Sequence, residues 1–466
     1  MYHRKVRGRL TALAAVAVGV GFVITEGIVL NARIRDYDEG VYWQSIRAMV
    51  RGEPLFRSVF ASQPPAFYYA LLPFYWVGHS LTSLRIAVLV LGLVGLAATY
   101  AAGRLLVGGL SALVAVLLLA SSPLYLHQSA VVQADAPAVA LGILAVALAL
   151  GAVRADGWLR DTLAAAAGLA LAFSAGSKLL GAVTVVPLAI VLLQALRGRR
   201  RLAAAVTAGA LLGLLLVFLP AVTAPRAAYE QLVLSHLRAG QGTQQSLAEN
   251  LKLILFHRYL PLEAVALLGV VAAGVRRDRA IVMPLAWAAV SLLAVLLYHP
   301  LFPHHLVMLT PALALAAAVG LRNLGALRIR SGLLAAGLVL ATASAGAFVA
   351  FRDLQLALTP DHHDAEMMAA VLSASQPGDY WISDNPFAVA AANRDIPGPL
   401  VDTSGQRTRA GLLTVEDLEA TRVQYNVRWL LVDSFRLDAV PGFRAWLDDH
   451  FRAVRSLGGR AVIYQR

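Results

Sequence analysis

From residue 10 to residue 351 the chain alternates long apolar runs with short polar turns. Many of the runs are about 17–25 residues long, the length that carries a helix across a bilayer core. A membrane barrel would instead show strands of about 10 residues with alternating polarity. The pattern predicts helices near Leu10–Leu30, Leu81–Ala102, Leu110–Tyr125, Ala136–Val153, Leu202–Thr223, Leu260–Val275, Ala280–Tyr298, Leu306–Leu321 and Gly332–Phe351. Two shorter helices are expected between Arg160 and Arg197, meeting at SAGSK near Lys178. That makes roughly eleven spans.

Two stretches break this rhythm. Arg35–Trp76, after the first run, holds Asp36, Asp38 and Glu39, several arginines and a dense set of aromatics. Its segment GVYWQSIRAMV has apolar residues at helical spacing and reads as an interfacial helix, with Tyr42, Trp43, Phe67, Tyr68, Tyr69, Phe74, Tyr75 and Trp76 at headgroup level. After residue 352 the composition becomes that of a soluble protein. Asp364–Ala374 reads as a helix, DYWISD as a strand, and the segment from Thr414 with Asp417 three residues on as a capped helix. Val427–Asp433 reads as a buried strand, PGFRAWLDDHF as a helix begun by Pro441, and RAVIYQR as a terminal strand. The expected organisation is a polytopic all-α membrane domain, 1–355, followed by a small α/β domain, 356–466.

Composition supports this reading: 59% of the 466 residues are hydrophobic and 14% charged, with no cysteine. Disulfides, thiol nucleophiles and thiolate metal sites are therefore excluded. The net charge of +13 comes largely from basic clusters between apolar runs, such as Arg197–Arg201 and Arg276–Arg279. That is the positive-inside pattern rather than a nucleic-acid footprint. It predicts a multi-pass plasma-membrane protein with a cytoplasmic N-terminus, an external Asp38 loop and an extracytoplasmic C-terminal domain. The first apolar run is too long for a cleaved signal peptide, so a retained signal-anchor helix is expected.

Candidate chemistry gathers on the external side. Asp38, with Glu39 beside it, lies close to the end of a membrane helix, where a carboxylate can act as general base on a hydroxyl acceptor. Asp135, in QADAP, can cap its helix or act in the site, and the two roles are compatible. Lys178 is the only lysine between Lys5 and Lys252. An ammonium at membrane depth needs a partner, either a lipid phosphate or, by snorkelling, the interface. His304 and His305 stand beside Pro303 without HxxxH or HExxH spacing, so no metal site is assigned and a hydrogen-bonding or headgroup role is favoured. Tyr229–Ser246, with His236 and Arg238 as anion contacts, reads equally as a lid or a connector.

This ordered set, DE, an interfacial helix, RGEPL, then Pro64, Pro65, Phe67, Tyr68 and Tyr69, resembles the C-type glycosyltransferase superfamily. It is similar in particular to bacterial relatives of the protein O-mannosyltransferases and of the lipid A aminoarabinose transferase. The resemblance continues through QADAP, GSKLLG and HHLVMLTPALAL over about residues 10–325. It implies a hexosyl- or pentosyltransferase that moves a sugar from a polyprenyl-phosphate donor to a lipid, glycan or protein acceptor at the outer membrane face, inverting the anomeric centre. It assigns Asp38 as base, with Glu39 and Asp135 in the catalytic set. Lys178 would contact the donor phosphate, and His304 or His305 would fill the position before helix ten. Tyr68 and Arg238 join the substrate contacts. Ser62-Gln63 stands where aminoarabinose-type members carry Glu-Lys, which removes a metal-binding carboxylate and leaves Lys178, Arg57 or Arg85 to supply charge to the phosphate. A transporter or flippase is the rival, but it would place polar groups near the midplane, often with inverted repeats. A scaffold displaying the C-terminal domain would leave Asp38, Asp135 and Lys178 without a role.

Overall fold

The computed structural model describes residues 2–31, 34–195, 198–241, 245–256, 260–324, 329–359, 361–458 and 460–466. The side chains of residues 2–7 and the basic-turn positions 197 and 328 lie outside the described residues, so the topology reading rests on the remaining basic turns. Among the described residues seven helices are long and apolar enough to cross a membrane: Gly8–Val29, Leu81–Leu106, Asp135–Arg154, Arg199–Thr223, Arg279–Leu297, Pro303–Asn323 and Ala336–Leu358. The other expected spans fall on the shorter apolar helices Gly109–Ala120 and Leu179–Gln194, on Gly157–Ser177, and on Pro261–Val275, which pairs with Leu247–Phe256 as a broken span. The first of the two expected short helices is thus a full 21 residues, and the chain breaks only at Lys178.

Small residues let these helices touch backbone to backbone, the packing that works where lipid is as apolar as leucine. A Cβ on Gly168 would lie 1.9 Å from the Val206 carbonyl oxygen, and one on Gly209 would lie 1.9 Å from that of Ala165. Helices Gly157–Ser177 and Arg199–Phe218 therefore cannot accept a larger residue at this crossing. The outer face of the second is a leucine surface, with Leu211 and Leu215 each 62% exposed.

The C-terminal part carries a four-stranded sheet in the order β1-β2-β4-β3. Strand β1 (Trp381–Ser383) runs parallel to β2 (Trp429–Val432), and β4 (Val462–Gln465) is antiparallel to both β2 and β3 (Arg452–Ser456). The Thr414 capping box is present, with the Asp417 amide donating to the threonine hydroxyl at 3.3 Å and the Thr414 amide donating to the Asp417 carboxylate at 2.9 Å. Strand β3 is an addition to the expected elements. It is a short, exposed edge carrying Arg452 and Arg455, which hides its strand character in the sequence.

The first external loop forms two helices, Tyr37–Val50 and Pro65–Gly78. Their aromatics divide. Tyr69 and Trp76 remain exposed, but Tyr42, Trp43, Phe67, Tyr68 and Tyr75 are buried in one core with Trp381, Leu430 and other C-terminal residues. Those rings were expected at headgroup level; the C-terminal sheet unit covers them instead. Gly40 makes the contact possible, because a Cβ there would meet the Phe387 amide nitrogen at 2.5 Å. Polar ties fix the docking. Arg47 and Arg51 reach Asp395 at 2.8 and 2.6 Å, and the Gln44 amide donates to the Arg394 carbonyl at 3.0 Å.

Candidate active site

Three chain breaks deliver the polar groups to one place. Asp36 caps helix Tyr37–Val50, its carboxylate accepting from the Asp38 amide at 2.9 Å. This puts Asp38 in the first turn, where a carboxylate also faces the helix's unpaired amides. Helix Asp135–Arg154 starts with Asp135, but Ala134 is its N-cap and makes no side-chain cap bond. The Asp135 side chain turns away to Lys178, which donates to it at 2.6 Å with both side chains buried. Lys178 sits in extended backbone where helix Gly157–Ser177 ends and a 3₁₀ turn, Leu179–Thr184, begins. Ser174 ties that end to the Asp135 helix through its hydroxyl on the Ala138 carbonyl at 2.6 Å.

A cavity of about 490 Å³ opens between these breaks. Asp36, Asp38, Tyr42, Ser62, Gln63, Lys178, His236, Tyr298, His304 and His305 line it from the membrane side, and Asp402, Arg407, Arg409 and Arg436 from the C-terminal sheet unit. Asp38 is held well above the usual carboxylate range, by burial first and then by Asp36 and Asp402, while Lys178 pulls the other way. Its protonation therefore answers to the neighbouring carboxylates and to the charge on Lys178.

Several expected site residues sit elsewhere. Glu39 follows Asp38 by one position, about 100° around the helix, and points into the protein. Its carboxylate takes Arg85 at 2.8 and 2.6 Å and the amides of Arg35 and Val132 at 2.9 and 3.1 Å. Burial pushes this carboxyl up, but the Arg85 charge and these hydrogen bonds outweigh it and hold it below the usual range. Glu39, expected in catalysis, and Arg85, expected on phosphate, pair with each other outside the cavity lining. Arg57 and Arg238 are exposed and do not line the cavity, although His236, two residues from Arg238, does. Tyr68 is buried against Tyr42, with ring centres 5.8 Å apart, and shapes the wall without lining it.

Asp135, His304 and His305 could present one ligand atom each within 4.8 Å of one another. Two observations argue against a cation there. One Asp135 oxygen is taken by Lys178, whose charge would repel a metal, while the buried Oδ1 has no partner. The His305 Nδ1 accepts from the Phe302 amide at 3.2 Å, so a neutral ring carries its proton on Nε2 and has no free lone pair to offer. As arranged, the trio leaves a divalent ion the Asp135 Oδ1 and a His304 nitrogen at most.

Sequence reasoning missed Asp402, Arg407, Arg409 and Arg436. Arg407 is buried over the Phe60 ring at 3.9 Å, and burial lowers its guanidinium to about 10. Arg436 stacks on Tyr37, also at 3.9 Å. No local signal marks these residues, since they reach the site only through docking of the sheet unit.

A second, apolar cavity of about 660 Å³ lies beside the first and shares Pro123 and His127 with it. Phe256, Pro261, Phe348, Val349 and Leu356 line it together with Arg352 and Asp353, and Phe256 and Phe348 are 73% and 62% exposed.

Comparison with known proteins agrees with this arrangement. Curated protein sequences returned no significant match. Among solved structures, ArnT from Cupriavidus metallidurans bound to undecaprenyl phosphate superposes with a TM-score of 0.72 at 16% identity, covering 97% of each chain. Its apo state gives 0.71 at 16% identity over 98% of each chain. The oligosaccharyltransferase of Archaeoglobus fulgidus, in complex with Zn and sulfate, gives 0.62 at 14% identity, covering 94% of this chain and 71% of that one. The fold is thus the polytopic one of these membrane glycosyltransferases, and residues 62–223, which hold Asp135 and Lys178, match the model of the dolichyl-phosphate-mannose-protein mannosyltransferase family.

Proposed function

We propose that this protein is a membrane glycosyltransferase that moves a sugar from a polyprenyl-phosphate donor to a hydroxyl acceptor at the outer membrane face. The observation that carries this reading is the pairing of two cavities. A polar chamber holding Asp38 and Lys178 adjoins a largely apolar groove edged by exposed phenylalanines, with Pro123 and His127 common to both. A polyprenyl phosphate has the same two parts: an isoprenoid chain for the groove and an anion for the chamber. The structural likeness to a protein solved with undecaprenyl phosphate supports the same ligand.

The chemistry follows from the residues. The acceptor hydroxyl oxygen attacks the anomeric carbon and gives its proton to Asp38. The bond from that carbon to the phosphate oxygen breaks, and its electron pair leaves with the polyprenyl phosphate. Lys178 meets the charge that develops there. One ammonium hydrogen is used on Asp135, leaving two for phosphate, so Asp135 is a positioning residue. Donor phosphate beside Lys178 offsets the cation that otherwise lowers Asp38, and Asp38 becomes a stronger base when the donor is bound. A single displacement inverts the anomeric centre, and a product with retained configuration refutes it. Hexosyl or pentosyl transfer is open to this chamber. The N-terminus is cytoplasmic in this reading and the sheet unit extracytoplasmic. The test is sugar transfer from a polyprenyl-phosphate donor pool in membranes, wild type against Asp38→Asn at matched expression. Equal transfer by both refutes the role of Asp38.

A further inference from the structure

The chamber brings four cations and three carboxylates together without pairing them to one another. Lys178, Arg407, Arg409 and Arg436 face it, against Asp36, Asp38 and Asp402. Lys178 is held by Asp135, Asp36 by its capping bond and Asp402 by the Ser404 amide at 2.8 Å. Among the described residues none of the three arginines forms an ion pair. Arg407 spends Nε and Nη1 on neutral carbonyls, those of Leu412 at 3.0 Å and of Pro399 and Asp402 at 2.7 Å each. Arg436 donates only to the Ser434 hydroxyl, at 3.2 Å, and Arg409 stays exposed at the mouth. Of the three only Arg407 is buried, and the charges of Asp402 and Asp417 act on it without an ion pair. Guanidinium forks are suited to carboxylate and phosphate.

The loop carrying them is fixed to the helix that carries Asp38. The Tyr37 hydroxyl lies 3.1 Å from that of Thr403 and accepts from the Thr403 amide at 3.2 Å, and Arg436 lies over the same tyrosine ring. An anion held by the arginines is thus registered against the base one residue from Tyr37.

We propose that Arg407, Arg409 and Arg436 form an anion subsite that binds a phosphate or carboxylate group of the acceptor and so aims its hydroxyl at Asp38. This rests on the glycosyltransferase reading and adds to it the class of acceptor, an anionic lipid or glycan. The same chemistry could come from the donor phosphate, and the experiment separates the two sources.

The test uses the full chain purified in detergent, with labelled inorganic phosphate and undecaprenyl phosphate as probes. Variants are Arg409→Gln/Arg436→Gln and, separately, Lys178→Gln; Arg407 is left intact because its carbonyl contacts hold the loop. With undecaprenyl phosphate saturating, inorganic phosphate is expected to bind the wild type and to bind at least tenfold more weakly to the arginine variant. Glycerol 1-phosphate and glucuronate, as competitors, then tell phosphate from carboxylate preference. If phosphate does not bind once the lipid is in place, or binds the arginine variant as well as the wild type, the subsite is refuted. If the arginine variant instead loses undecaprenyl phosphate, the arginines hold the donor and the acceptor assignment falls. Undecaprenyl phosphate binding that ignores Lys178→Gln counts against the parent reading alone.

Discussion

Replacing Lys178 with methionine removes a cation with two separable jobs. One is structural. Lys178 and Asp135 meet at 2.6 Å with side chains 5% and 2% exposed, and the second Asp135 oxygen has no hydrogen-bond partner in the protein. Breaking a buried pair of this kind leaves a carboxylate stranded and costs about 3–5 kcal/mol. The other job is on the donor phosphate, where a charged hydrogen bond is worth about 1.5–3 kcal/mol, or about ten- to a hundred-fold in affinity at roughly 1.36 kcal/mol per factor of ten. Lys178→Met alone confounds them. Adding Asp135→Asn removes the stranded charge, so the double variant is expected to recover most of the lost thermal stability. It is not expected to recover undecaprenyl phosphate affinity or sugar transfer. Thermal unfolding in detergent reads the first quantity, and lipid-phosphate binding and transfer read the others. A double variant that regains both fold and transfer refutes the reasoning, because Lys178 would then serve only to neutralise Asp135.

Three further outcomes are expected. Asp38→Asn lowers transfer by about 10²–10⁴, the usual contribution of a general base. Because the folded protein holds this carboxyl above its unfolded value, its ionisation costs stability as pH rises through the raised pKa, so Asp38→Asn melts no lower than wild type near neutral pH. The acid limb of the kcat/KM profile should also lie above the ordinary carboxylate range; an acid limb near pH 4 in wild type refutes the raised base. Glu39→Gln leaves Arg85, 1% exposed, without its counter-charge and should destabilise by about 3–5 kcal/mol, with partial rescue by Arg85→Met; normal melting with lost transfer would return Glu39 to the chemistry. With no native cysteine in the chain, Glu416→Cys should react with a membrane-impermeant maleimide in intact cells and Arg277→Cys only after permeabilisation, and the reverse pattern inverts the topology.

How far the site was legible depended on the range of the interactions that build it. Asp38, Asp135, Lys178, His304 and His305 could be found because each sits at the end of an apolar run, where an ionisable residue is out of place. Asp38 and Glu39 could not be told apart. One position along a helix decides which faces the chamber and which meets Arg85, and that partner lies 46 residues away. The aromatics of Arg35–Trp76 were read as membrane anchors because composition cannot distinguish a headgroup from a covering domain, and the Phe387 contact with Gly40 makes that choice.

The chain by itself determined that it crosses the membrane repeatedly, where most of its helices begin and end, and that its polar chemistry lies toward one side. Those properties follow from local quantities: the length and apolarity of a run, the charges flanking it, and a capping residue. Only the tertiary structure decided that the C-terminal sheet unit roofs the chamber and contributes Asp402, Arg407, Arg409 and Arg436 to it. It also decided that Lys178 and Asp135 form a buried pair beside Asp38 and that a largely apolar groove adjoins them. The reason is physical. Bilayer insertion is a sum over residues along one helix, whereas a cavity exists only where surfaces distant in the chain meet without filling the space between them.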